Sequence, residues 1–496
     1  MSDLYKSMGF TDNPFSRFSA EEEIDYLNNI YVNPRYYNTI FKDIKDGSSR
    51  FIIGERGIGK SALMFNLRKD FSDKVFSVII DEYGGVKVKE NQKELILCTM
   101  EKMVTQLGVS LIKNKKIVKS LEKSDKEKLT FFINILFKTL SKSEFNNIYD
   151  TTTNFYLKSK FAWIFNNFLL KPANIALSGV SEWLGSTVSR ALGLPPVTDN
   201  FYKTYIPELI IKKVEQKEDI LNLDSARIKE LFRILVELII KCNYESIVIF
   251  YDKIDEYQSL GIKISNIAEF IKSIATDTNI LQTKNCSFVL VIWSKVKDSL
   301  NSMGVRFDKF KPIDITWVDN ELKDIIDKRL LHFSNKKLTL EAILPDSKYI
   351  SQLIRLAYKS PRHLIMLLSR IYDEQEIIDS NVTQFSVEAI NKGIVVYAKT
   401  FDFPSLYPGE KGKKAYIVNV INRMLKVGKA EFQSSDLVSV FKVSTQSANN
   451  DIKIMREYGL IMEIDNEGSQ SKRYRIIEPR IEYLINMEIK KLDLQE

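Results

Sequence analysis

The chain is poor in the residues that build covalent or metal-held frameworks. Its 496 residues include three cysteines, Cys98, Cys242 and Cys286, and two histidines, His332 and His363. An odd set of widely spaced thiols makes neither a disulfide framework nor a zinc pattern, so a reducing cytoplasm is the expected setting. Two isolated histidines exclude a histidine-rich metal site and a histidine-based triad. Long apolar runs are scarce too. A membrane-spanning helix needs roughly 20 apolar residues in a row. Phe161–Leu170 is interrupted by Asn166 and Asn167 and stopped at Lys171-Pro172, and Ala173–Leu194 is milder still, so both read as buried helices. Met1–Phe10 carries Asp3 and Lys6 and no apolar stretch, so no secretory signal is expected. No internal repeat and no low-complexity tract interrupts the rest.

What is present is ordinary in bulk and specific in detail. Hydrophobic residues make up 44% and charged residues 27%, the composition of a globular protein too long for a single core. The net charge of +8 permits contact with nucleic acid or an acidic membrane surface without requiring either. The pattern predicts an α/β chain with a parallel sheet. Continuous apolar runs at Ser246–Tyr251 and Ser287–Trp293, with further strand-like runs at Arg50–Ile53, Lys74–Ile80 and Pro312–Trp317, alternate with segments of helical period. The expected units are an N-terminal helical segment packing on the site (1–45), a core (46–318) holding a helical insertion (about 113–219), a helical lid (319–402) and a last unit (413–496).

Between the first strand and the next helix stands Gly54-Glu55-Arg56-Gly57-Ile58-Gly59-Lys60-Ser61, followed by Ala62. A strand, then Gly-x4-Gly-Lys-Ser, then a helix is the phosphate-binding loop in its required context. The glycines let backbone N–H groups turn inward, the helix N-terminus favours anionic charge, Lys60 reaches the β- and γ-phosphates, and the Ser61 hydroxyl ligates Mg²⁺. The run Ile247–Tyr251 ends in Asp252, which is expected beside the loop strand and suited to the Mg²⁺ shell. Asp255 and Glu256 are the candidates to activate water, because Lys253 occupies the neighbouring position. Ser294, after the following strand, is the candidate to position water or γ-phosphate. Arg362, in Lys359-Ser360-Pro361-Arg362, is the candidate lid sensor. Arg306 is the candidate finger toward a neighbouring subunit, with Arg329 as its rival.

Taken together, GERGIGKS, IVIFYDKIDE, the polar residue after FVLVIW and the helical SPRHLIMLL resemble the AAA+-like ATPases of the origin-recognition and STAND type. Asn13-Pro14-Phe15 and IYVNPRYY are similar to the opening of the bacterial branch. The resemblance spans about Phe10–Lys399. It implies a nucleotide-gated switch, ATP rather than GTP as ligand, and frequent assembly into multimers in DNA metabolism or bacterial defence. Two departures stand out: the insertion at Lys113–Asp219, and Lys253 where a catalytic glutamate is common.

In the last unit, Lys414–Leu425, Leu437–Phe441 and Thr445–Glu457 read as helices, and Leu460–Ile464 and Lys472–Ile476 as a hairpin. This resembles a winged helix. Its third helix would present Gln446, Asn449, Asn450 and Lys453 to base edges, and the hairpin would bring Lys472, Arg473 and Arg475 to phosphates. The expected function is therefore an ATP-hydrolysing switch that uses ATP and Mg²⁺ and acts with DNA, a partner protein or further copies of itself. The alternatives are a nucleotide-dependent scaffold or sensor with little turnover, and a sequence-specific DNA-binding regulator.

Overall fold

Apolar runs without a polar face must be covered on both sides, and these are. The structure, a computed structural model, describes residues 3–137, 177–196, 222–261, 263–408, 414–464 and 472–493. Strands β1 (Arg50–Gly54), β2 (Val75–Ile80), β3 (Ser246–Tyr251), β4 (Cys286–Trp293) and β5 (Pro312–Asp314) form one sheet in the order β2-β3-β4-β1-β5, every pair parallel. Every residue of β3 and β4 is buried. Side chains alternate between faces, so Ile247, Ile249 and Tyr251 enter one core while Val248 and Phe250 enter the other.

Helices α1 (Tyr37–Lys45) and α2 (Lys60–Asp70) cover the second face. The first face carries α3 (Gln92–Lys113), with α4 (Lys123–Leu136) and α5 (Leu177–Leu192) packed outside it, then α6 (Ser225–Lys241) and α7 (Ile264–Ala275). Gly185 lets α5 lie on α4: a Cβ there would stand 2.4 Å from the Ile133 carbonyl oxygen. By length and composition, α3 is the one helix among the described residues that is apolar enough to cross a membrane, yet 78% of its apolar window is buried within the fold. Phe161–Leu170 and most of the insertion lie outside the described residues.

The lid consists of α8 (Asp319–Phe333), α9 (Lys348–Ala357), α10 (Pro361–Ile378) and α11 (Val387–Lys399), and its core is continuous with the second face of the sheet. Gly393 brings α11 onto α10, since a Cβ there would meet Ile371 Cα at 2.6 Å. The last unit has its own core, built from α12 (Lys414–Val427), β6 (Glu431–Gln433), α13 (Ser434–Phe441), α14 (Thr445–Glu457), β7 (Ile461–Ile464), β8 (Arg473–Ile476) and α15 (Pro479–Asn486). Its three strands pair antiparallel in the order β6-β8-β7.

The structure corrects several expectations. The acidic strand does not lie beside the loop strand; β4 stands between β3 and β1. The strand from Pro312 ends at Asp314 rather than Trp317. The helix expected from Leu437 starts at Ser434, where Asp436 Oδ2 accepts the Gln433 N–H at 2.7 Å and closes the first turn. Strand β6 and helix α15 add to the expected elements.

Candidate functional site

In a parallel sheet all the carboxyl ends share one edge, which is where open α/β sheets bind ligands. Gly54, Asp252 and Ser294 therefore meet there although they are far apart in the chain. The loop after β1 turns through Gly57 (φ +77°) and Gly59 (φ +96°), left-handed conformations that favour glycine. At Gly57 a Cβ would also stand 2.8 Å from Ser360 Oγ, so the lid closes directly on the loop. Ser360 Oγ and the Arg362 N–H both donate to the Gly57 carbonyl, at 3.1 and 3.3 Å. Trp317, just past the sheet, donates its indole N–H to the Ile58 carbonyl at 2.8 Å.

Lys60 opens α2 and folds back over the loop, donating to the carbonyls of Gly54 and Glu55 at 2.8 and 2.9 Å. Burial lowers its pKa, against the pull of Asp255, Asp252 and Glu55. Ser61 Oγ donates to Asp252 Oδ2 at 2.8 Å. Asp252 is 3% exposed, and burial raises its pKa in spite of the Ser61 hydrogen bond. Behind it, the buried Tyr83 hydroxyl bonds the Ile80 and Asp252 carbonyls, both at 2.8 Å, and fixes the end of β3. A lysine folded onto its glycine loop, and a hydroxyl at the helix start bonded to a buried aspartate just past a parallel strand, now meet at one edge of the sheet. The core has the P-loop fold.

The loop floors a cavity of about 600 Å³ between core and lid. Arg56, Gly57, Gly59, Lys60, Ser61, Ala62, Asp252, Asp255, Glu256 and Arg362 all line it. Leu27, Ile30, Val32, Ile365 and Met366 supply an apolar wall. The N-terminal segment is held there by three cations. Arg329, itself buried, donates to the Pro14 and Arg17 carbonyls and pairs with Glu23. Arg362 Nε donates to the Phe18 carbonyl at 3.0 Å. Lys253, in a left-handed turn after β3 (φ +55°), pairs with Glu21 at 2.7 Å. Burial is the largest influence on Glu21 and works against its charge, but the hydrogen bond and charge of Lys253, a backbone N–H and the Arg362 charge together hold that carboxyl below its ordinary range.

Other candidates sit differently. Ser294 does not line the cavity; its hydroxyl donates to Glu55 Oε1 at 2.6 Å, and the Trp293 indole donates to Glu55 Oε2 at 2.9 Å. Arg306 lies outside the cavity on the surface, forked onto Asp308 at 2.7 and 2.9 Å. Arg329, the rival finger, is spent on the N-terminal segment. Gln446, Asn449, Asn450 and Lys453 are exposed on α14. Lys472 pairs with Glu463 at 2.9 Å, and Arg473 and Arg475 pair with Glu431 at 3.0 and 2.6 Å. The hairpin's three bases thus share two neighbouring acids, Glu463 and Glu431, a pairing that charge counting along the sequence does not reveal.

Sequence reasoning missed the far wall. Phe401, Asp402, Ser405 and Leu406, from the segment joining lid to last unit, line the cavity. The one available signal was the aromatic density of Phe401-Asp402-Phe403-Pro404-Ser405-Leu406-Tyr407, unusual for a linker.

No family model matches the chain, and no curated protein matches it. Among solved structures, it is similar to a Walker-type ATPase of Pyrococcus abyssi at 12% identity and a TM-score of 0.38, with 95% of this chain and 96% of that one covered. The ORC2 protein of Aeropyrum pernix in its ADP form aligns at 10% identity and a TM-score of 0.36, with 97% of each chain covered. The RuvB Holliday junction branch migration motor of Thermotoga maritima aligns at 10% identity and a TM-score of 0.34, covering 95% of this chain and 98% of that one. Similarity at this level carries no functional argument, and the assignment of the core rests on the sheet and the loop.

Proposed function

We propose that the chain binds ATP with Mg²⁺ in this cavity and hydrolyses it as a molecular switch of the AAA+ type. The observation that carries the reading is the Ser61–Asp252 hydrogen bond beside Lys60, at the mouth of a glycine loop and roofed by a lid. The residues fit the ligand. Lys60 is held by neutral carbonyls that a phosphate outcompetes. A hydroxyl and a carboxylate are the hard oxygen donors Mg²⁺ takes while it keeps waters and phosphate oxygens. Mg²⁺, when bound, supplies charge neutralisation on the phosphates.

Gly57 and Gly59 let the loop backbone turn so that N–H groups can point at phosphate oxygens. The apolar wall from Leu27 to Val32 and from Ile365 to Met366 suits a flat base. Arg362 reaches the same space from the lid, so the lid's angle follows the terminal phosphate. Asp255 and Glu256 are carboxylates in the cavity suited to orient water. Arg306, exposed and outside its own cavity, suits a finger into a neighbouring copy. The last unit, read as a winged helix, would offer Gln446, Asn449, Asn450 and Lys453 to DNA or to a partner protein. For the two nucleotide states to switch anything, they must bind that partner with different affinity.

A second reading, a sensor with little turnover, is favoured by one observation. Lys253 stands where a glutamate would activate water, and it is engaged with Glu21. Binding of a fluorescent ATP analogue to the wild type, Lys60→Ala and Ser61→Ala, each with and without Mg²⁺, tests the site. Saturable binding lost in Lys60→Ala, and Mg²⁺ dependence lost in Ser61→Ala, are expected. Equal binding by all three overturns the reading.

A further inference from the structure

The phosphate loop carries a second cation, and its contacts lead out of the site. Arg56 Nε donates to Asp255 Oδ2 at 2.7 Å, one terminal nitrogen donates to the Asp255 carbonyl at 3.0 Å, and the other donates to the Ser405 carbonyl at 3.1 Å. Its guanidinium lies over the Trp293 ring, 4.4 Å from the centroid. That ring is fixed from its edge by Glu55, which Ser294 holds in turn. One side chain thus joins the loop, a candidate water-orienting carboxylate and the cavity's far wall.

The far wall is a strap, residues 401–407, whose other side belongs to the C-terminal unit. Phe401 lies 3.7 Å from the buried Arg480 guanidinium. The Tyr407 hydroxyl donates to Glu478 at 2.5 Å, and the Phe401 ring also meets His363 of the lid edge-on at 5.0 Å. The strap is therefore anchored firmly in the C-terminal unit, whereas Arg56 is its hydrogen bond to the phosphate loop.

We propose that Arg56 is a positioning residue that couples the phosphate cavity to the C-terminal unit: it holds Asp255 and the strap together, and a terminal phosphate draws it off both. This rests on the nucleotide reading above. The chemistry favours the exchange. A guanidinium binds phosphate oxygens in a bidentate fork, and a phosphate carrying about two charges is a stronger acceptor than the neutral Ser405 carbonyl. When Arg56 turns, Asp255 Oδ2 becomes available to water and the strap loses its tie to the loop. Lysine keeps the charge but carries its donors on one nitrogen, so it cannot bridge Asp255 and the Ser405 carbonyl as the three-nitrogen fork does.

The test is amide hydrogen exchange across residues 401–408 in the full chain, with and without ATP and Mg²⁺, for the wild type and Arg56→Lys. Nucleotide retained in the same samples is measured in parallel, as are kcat and KM. In the wild type, ATP should speed exchange of the strap about tenfold, the loss of one hydrogen bond worth roughly 1.4 kcal/mol. In Arg56→Lys the strap should exchange fast without ATP and respond no further, with KM rising more than kcat falls, because Asp255 is already free and the fork on the phosphate is lost. Wild-type strap exchange that ignores bound ATP, or an Arg56→Lys strap that behaves as the wild type, overturns the inference while leaving the nucleotide reading intact. A wild type that retains no nucleotide overturns both.

Discussion

Replacing Arg480 with methionine should destabilise the C-terminal unit by about 3–5 kcal/mol, the usual cost of breaking a buried ion pair. Arg480 and Glu478 are both 0% exposed, and the guanidinium meets the carboxylate twice, at 2.5 and 2.8 Å. Without it, the Glu478 carboxylate keeps the Tyr407 hydroxyl and the Arg480 backbone N–H but no counter-charge. The Phe401 ring loses its cation as well, worth up to about 2 kcal/mol when desolvated. Glu478→Gln/Arg480→Met removes the stranded charge, so its cost should fall short of the summed single costs by at least about 2 kcal/mol. A chain with several cores does not unfold in one step, so the free energy is best read from amide exchange in α12 and α15, which frame this core. A loss under about 1 kcal/mol in the single variant, or a double variant as costly as the sum, would refute the reasoning.

Three further outcomes follow from the site. Burial raises the Asp252 pKa, so the fold disfavours its charged form; that penalty is absent below the ordinary carboxylate value of 3.8 and grows as pH rises through the raised one. Asp252→Asn should therefore stabilise the core at neutral pH, with the gain vanishing toward about pH 4, while phosphate release is lost; thermal unfolding across pH checks the first part. Lys253→Met frees Glu21 and should weaken nucleotide binding roughly fivefold or less, because a partly exposed pair contributes at most about 1 kcal/mol; titration at two salt concentrations reads it. If the hairpin meets DNA, Glu431→Gln unmasks Arg473 and Arg475 and should strengthen binding to duplex and steepen its salt dependence, whereas unchanged affinity would remove the hairpin from any DNA surface.

Local chemistry was legible from the sequence, and its assembly was not. The glycine loop, the apolar run into Asp252 and the helix starting at Thr445 are contiguous signals whose spacing carries their meaning. Ser444, for example, accepts the Ser447 N–H at 3.2 Å, as a cap should. Strand order is a long-range property. Nothing in β3 or β4 says which lies next to β1, so the sequence does not determine the neighbour of the loop strand. The fates of charged side chains were equally hidden. Arg329 looks like an exposed candidate until Glu23, 306 residues away, is seen to bury with it. Arg56 meets Asp255 across 199 residues, and no periodicity encodes that contact.

The most direct test of the central claim is steady-state phosphate release from ATP by the wild type, Lys60→Ala and Asp255→Ala/Glu256→Ala, each with and without duplex DNA. The account predicts Mg²⁺-dependent turnover in the wild type that falls about 100-fold or more in every variant, as expected when charge stabilisation or water activation is removed. Wild-type turnover matched by Lys60→Ala would contradict it, and so would a wild type that binds ATP without releasing phosphate under either condition.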